Sequence, residues 1–140
     1  MTALEKFARG YLWLAAVVFI GLGIALMIWP TEILARVEVK CETPTAFADI
    51  RADYGGCILG VGLFLIWCAA QRQFIRAGLL CVALIFSGYA IGRLLSLVID
   101  GTPNPIIFIL IAVELIGALA ALALYPCAET QFKRLVFCHE

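Results

Sequence analysis

Four long stretches of this chain carry almost no charge, and that leaves few folds open to it. The first, YLWLAAVVFIGLGIALMIW, runs from Tyr11 to Trp29 without an acidic or basic residue and is closed by Pro30. The second is YGGCILGVGLFLIWCAA, Tyr54 to Ala70, and the third is AGLLCVALIFSGYAIGRLLSLVI, Ala77 to Ile99. The fourth is PIIFILIAVELIGALAALALY, Pro105 to Tyr125. About 20 apolar residues cross a hydrocarbon core of about 30 Å as a helix. In lipid a helix also satisfies every backbone N–H and C=O within one segment. The second run is short by this measure. Its helix is therefore extended back to about Thr45, with Pro44 in the first turn, where a missing N–H costs nothing.

The expected fold is all-α: an antiparallel bundle of four transmembrane helices in one domain spanning residues 1–140. The spans fall at about 11–29, 45–70, 77–99 and 105–125, with a loop at about 30–44 and a tail at 126–140. Tight turns make spans two and three, and three and four, antiparallel neighbours. Composition agrees. Apolar residues make up 64% and charged residues 14%, with a mean hydropathy of +1.05. A soluble domain is about 45–50% apolar and about 25% charged. Ten basic residues balance ten acidic ones, and this excludes the basic excess that a nucleic-acid binder needs.

The first run has a basic flank in Lys6 and Arg9, as a signal peptide does. Its apolar part exceeds the usual 7–15 residues and no small-x-small cleavage site follows, so it is read as a retained span. Four spans put both termini on one side. That side carries Lys6, Arg9, Arg72, Arg76, Lys133 and Arg134, against Arg36, Lys40 and Arg51 opposite. The bias places both termini in the cytoplasm, and the segment from Thr31 to Asp53 and the DGTPNP turn outside. Within Thr31 to Lys40, Ile33, Leu34 and Val37 fit one face of a short interfacial helix, with an irregular loop as the alternative.

Two charges interrupt the apolar runs: Arg93 in span three and Glu114 in span four. Arg93 lies six residues from Ile99, about 9 Å below the outer end, and Glu114 lies nine residues from Pro105, about 14 Å below it. Side chains lean toward the N-terminus of their own helix, and these helices run in opposite directions. The two groups therefore approach a common depth. Either charge alone near the bilayer centre costs about 2.5–3.5 kcal/mol. At 4 Å their attraction is about 4 kcal/mol for an effective dielectric of 20. An Arg93–Glu114 ion pair is expected, with a protonated, hydrogen-bonded Glu114 as the alternative.

Glu114, Gly117, Ala118 and Ala121 share a helical face suited to close packing. Gly88 and Gly92 form one G-x-x-x-G and Gly56 and Gly60 another, both read as contacts inside the bundle rather than as dimerisation faces. Tyr89 and Asp100 flank Arg93 along its helix, and span two brings Arg51, Asp53 and Tyr54 to the same level. The expected polar cluster, ligand-binding or structural, is Arg51, Asp53, Tyr54, Tyr89, Arg93, Asp100 and Glu114.

Six cysteines are present: Cys41, Cys57, Cys68, Cys81, Cys127 and Cys138. None forms C-x-x-C, the signature of a dithiol oxidoreductase. Cys41 and Cys57 alone lie on the oxidising side, which makes them a candidate disulfide. Cys68, Cys81 and Cys127 read as small apolar packing residues. The single histidine, His139, sits beside Cys138 in the tail, too few ligands for zinc. No span contains a histidine for haem, and no H-E-x-x-H, G-x-S-x-G, P-loop or dinucleotide motif occurs, so neither a metal nor a cofactor is implied.

The order PTAFADIRADYGG, then IGRLLSLVIDGTPNP, then a span with a central glutamate resembles a family of small bacterial inner-membrane proteins catalogued as a domain of unknown function. In outline it is also similar to the DoxX-like four-helix group. The resemblance covers about Tyr11 to Tyr125 and is sharpest at Arg51 to Gly56, Gly92 and Arg93, Asp100 and Gly101, and Glu114. It implies a four-helix protein of the bacterial inner membrane and no defined activity.

The leading functional expectation is non-enzymatic: an accessory or small-lipophilic-ligand-binding module in the bilayer. Its partners would be a lipid or quinone ligand, a larger membrane complex or a second copy. A membrane enzyme or redox accessory acting on a lipophilic substrate such as a quinone would use Tyr89, Arg93 and Glu114. A proton-coupled transporter would use Glu114.

Overall fold

The computed structural model describes the backbone of residues 3–137 and the side chains of residues 3–126. The side chains of Cys127, Lys133, Arg134, Cys138 and His139, and the expectations attached to them, lie outside the described residues. Six α-helices follow in order: α1 Ala3–Ile28, α2 Pro30–Leu34, α3 Pro44–Asp49, α4 Cys57–Ala70, α5 Ile75–Ile99 and α6 Pro105–Phe137. No strand occurs among the described residues. A π-helical segment, Ile50–Gly56, joins α3 to α4, so Pro44–Ala70 runs as one helical rod. Four helical stretches are long and apolar enough to cross a membrane, and the chain is a multi-pass membrane protein. Even the shortest, Pro105–Pro126 with 22 residues, measures about 33 Å at 1.5 Å per residue.

Local chemistry sets the ends of these rods. Trp29 leaves the helical region with φ −123° and ψ 57°, and α2 restarts behind it with Pro30 in its first turn. Of the two readings of Thr31 to Lys40, a short helix is the one formed, extended by a 3₁₀ turn over Ala35–Val37. Leu34 is buried, and Ile33 and Val37 pack against the core. Thr43 caps α3, its Oγ1 accepting from Ala46 N at 3.2 Å, with Pro44 in the first turn. Asn104 does the same for α6 by accepting from Ile106 N at 3.0 Å.

The four rods associate as two tight pairs. Span two lies chiefly along α1, and α5 lies along α6. Spans two and three, expected as close neighbours, share fewer contacts than span two makes with α1. Lipid offers no hydrophobic drive between helices, so close backbone approach at small residues must hold them. In the first pair a Cβ on Gly23 would sit 2.7 Å from Leu59 N, and one on Gly62 would sit 2.6 Å from Ile20 Cγ1. In the second pair Gly117 gives way to the Phe86 ring. The two G-x-x-x-G pairs do not serve this role. A Cβ on Gly60, Gly88 or Gly92 would meet nothing within 4 Å, and Gly56 would meet only Arg51 O of its own segment at 3.6 Å. Their spacing is right for packing, but their azimuth turns them away from the neighbouring helices.

The bundle has a terminal end, with Ala3 and the Gln71 turn, and a loop end, with α2 and the Asp100–Asn104 turn. The largest fully buried side chains, Leu12, Leu65, Leu79, Val82 and Cys68, all belong to the terminal half. Arg9 Nε donates to Ala69 O at 3.0 Å, satisfying a carbonyl at the end of α4. Tyr11 donates its hydroxyl to Gly117 O at 2.7 Å and ties α1 to α6. At the loop end Asn104 Nδ2 donates to Glu38 Oε1 at 2.9 Å, joining the segment after α1 to the turn between α5 and α6.

Candidate functional site

Arg93 on α5 and Glu114 on α6 form the expected ion pair: Arg93 Nε donates to Glu114 Oε1 at 3.0 Å. Glu114 is the buried charged residue of the core, only 5% exposed, while Arg93 is partly exposed. Ile111, Ala118 and Ala121, above and below Glu114 on its helical face, are buried as well. The second oxygen, Glu114 Oε2, is buried and has no hydrogen-bond partner among the described residues. A buried acceptor without a donor is costly and calls for an explanation.

Tyr89, one turn before Arg93, shares an electrostatic neighbourhood with Glu114, Arg93, Tyr54 and Cys57. These are the residues that the fold brings toward one place. The other members of the expected cluster are engaged locally. Arg51 is exposed and its guanidinium lies 5.7 Å from the ring centroid of Phe47, on its own rod. Asp100 accepts from Ser96 Oγ at 2.6 Å within α5, not from Arg93. Asp53 is exposed on the π-helical segment. Depth along a span predicts level but not azimuth, and these three residues share the level only.

Cys41 and Cys57 are free thiols. Thirteen helical steps lead from Pro44 to Cys57, a rise of about 20 Å, whereas a disulfide needs its Cα atoms within about 7 Å. Cys41 instead packs against the core as a partly buried residue. Cys68 is buried and Cys81 partly so, both as free thiols. No group of three or more His, Cys, Asp or Glu residues able to hold a metal occurs among the described residues.

Beside the polar group is a feature that periodicity does not announce. Near mid-depth the two helix pairs leave a cleft of about 330 Å³ between α4 and α5. Cys57, Ile58 and Val61 line one wall, Leu84, Ile85, Gly88 and Tyr89 the other, and Phe19 of α1 completes it. Phe19 stacks on Phe86 at 5.6 Å between centroids, at the boundary between this cleft and the packed terminal half. Tyr89 belongs both to the cleft wall and to the surroundings of the ion pair. The cleft is thus apolar along its length and bordered at Tyr89 by hydrogen-bonding groups.

The π-helical segment is the second feature missing from sequence reasoning. Such widened turns concentrate at functional sites. This one carries Tyr54 and is followed directly by Cys57, both electrostatic neighbours of Tyr89. It also sets Gly55 against α1, where a Cβ would meet Met27 Cγ at 2.5 Å.

The profile of the family described as Domain of unknown function (DUF4345) matches residues 7–125. No curated protein and no solved structure matches the chain.

Proposed function

The chain belongs to the DUF4345 family, a domain of unknown function, and we propose that it is a non-enzymatic binding module for a small lipophilic molecule. One observation carries this reading. An apolar cleft of about 330 Å³ lies between α4 and α5 and has Tyr89 on its wall, next to the Arg93–Glu114 pair. The apolar part of the ligand packs on Ile58, Val61 and Ile85, and its polar head lies at Tyr89. The volume is at the lower end of the range of about 300–1,000 Å³ for small-molecule pockets. Gentle extraction into nanodiscs followed by mass spectrometry of bound lipophiles tests the reading. Gly88→Leu adds bulk at the cleft wall, where a Cβ meets nothing within 4 Å. A compound retained by the native protein and lost from this variant is expected; equal retention by both would overturn the proposal.

The module belongs in the bacterial inner membrane with both termini in the cytoplasm. Lys6, Arg9, Arg72 and Arg76 at the terminal end support this, against Arg36, Lys40 and Arg51 at the other. A C-terminal fusion to green fluorescent protein should fluoresce, and alkaline phosphatase inserted after Lys40 should be active. The reverse pattern would invert the topology.

A further inference from the structure

The unused donors of Arg93 constrain the head group that the cleft takes, given the binding reading above. Ile75, Leu79, Val82, Phe86, Tyr89 and Arg93 recur along α5 at alternating steps of four and three residues, so they share one face of that helix. Ile75, Leu79 and Val82 are sealed inside the bundle, and Phe86 stacks on Phe19 of α1. The same face therefore looks into the bundle at Tyr89 and Arg93. There it turns from apolar and sealed to polar and open: Tyr89 is 42% exposed and the Arg93 side chain 29%. Tyr89 lines the cleft, and Arg93 stands four residues, or about 6 Å, farther toward the loop end. Only Nε of Arg93 is engaged, at Glu114 Oε1, and its two Nη groups donate to no described residue. A guanidinium keeps its protons, and hydrocarbon offers them no acceptor, so bare N–H groups at this depth are costly. Charge adds a second constraint. Glu114 is buried beside Arg93 and already balances it, and another anion there would meet like charge at low dielectric.

We infer that the ligand is a neutral lipophile with a carbonyl head, whose oxygen accepts from the Arg93 Nη groups while its apolar chain packs in the cleft. A ketone or an ester carries such an oxygen and brings no charge to a pair that is already balanced. An alkane of the same length fills the same space and leaves the Nη groups bare. A carboxylate has the acceptor but the wrong charge. Glu114 is a positioning residue here: it holds the guanidinium through Nε and sets the charge that the site tolerates, without touching the ligand.

Displacement of tritiated 2-tridecanone from the full chain tests this, in nanodiscs of ether-linked phosphatidylcholine that bring no ester carbonyl of their own. Unlabelled 2-tridecanone should compete at about tenfold lower mole fraction in the lipid than tridecane, the ratio expected for one buried hydrogen bond. Tridecanoate, assayed at pH 9, should compete no better than tridecane. Arg93→Met/Glu114→Leu removes both charges together and should bring the ratio of ketone to alkane close to one. Glu114→Gln leaves the Arg93 charge unbalanced and should make tridecanoate the better competitor, a switch that a purely structural ion pair would not give. In ester-linked discs the native ratio should persist; a ratio of one there would make a bilayer lipid the source of the carbonyl and overturn the assignment to a free lipophile. Equal competition by ketone and alkane in the native protein, an unchanged ratio in the double variant, or exclusion of tridecanoate from Glu114→Gln overturns the carbonyl rule and leaves cleft binding standing. Absence of 2-tridecanone binding, or binding unaffected by Gly88→Leu, overturns the cleft reading together with it.

Discussion

At the terminal end, Leu12 of α1, Leu65 of α4 and Leu79 and Val82 of α5 are sealed from the surroundings. Farther toward the loop end, the α1 and α5 pairs each stay tight, through Gly23 against span two and Arg93 against Glu114, but between these two regions the pairs part around the cleft. Both halves are made of the same apolar residue types. The difference lies in where the small residues point. Gly78 lets Leu12 and Cys68 of the other pair in at the terminal half, whereas Gly88 and Gly92 face open space farther along α5. In a bilayer, where lipid is as apolar as leucine, packing follows close approach and polar pairing, not hydrophobicity. A cleft can therefore persist wherever small residues turn away from their neighbours.

The contrast should show most strongly at the ion pair. Arg93→Ala leaves Glu114 buried and unpaired, and should cost about 3 kcal/mol in SDS titrations of the micellar protein. The double variant Arg93→Ala/Glu114→Ala should lose less than either single change. If the single and double effects simply add, the pair does not hold α5 to α6. Next in size comes a comparison of leucines. Leu79→Ala opens a cavity in the sealed half, and at about 24 cal/mol per Å³ a void of roughly 80 Å³ costs about 2 kcal/mol. Leu84→Ala, on the cleft wall and 64% exposed, should change stability by less than about 0.5 kcal/mol. Equal losses would mean that the cleft is closed in the membrane. A third contrast, of similar or smaller size, is between glycines. Gly23→Ala forces a methyl group against Leu59 N and should cost about 1–3 kcal/mol, while Gly88→Ala should stay within about 0.5 kcal/mol.

The four spans were legible because lipid admits so few solutions: a run such as Tyr11 to Trp29 has to be a helix. The Arg93–Glu114 pair was legible for a related reason. Each charge alone is expensive, and counting residues from the span ends fixes depth to within a turn. Facing was not legible. Every side of these helices is apolar, so the pattern that shows the core face of a soluble helix is absent. Level alone groups Arg51 and Asp100 with Tyr89, and spacing alone assigns the glycine pairs to packing. The π-helical turn over Ile50–Gly56 depends on one extra residue per turn, which no apolar period records. The cleft follows from all three, and Phe19, Ile58, Val61 and Ile85 carry no polar signal that could have marked it in advance.

The cleft lies between two neighbouring spans, with the strongly exposed Leu84 on one wall and the exposed Cys57 on the other. Its mouth therefore opens sideways. A molecule entering there arrives by diffusion in two dimensions and never crosses water. Its supply is set by how strongly it partitions into the bilayer, so occupancy would track the lipid-phase mole fraction of the compound and not its aqueous concentration.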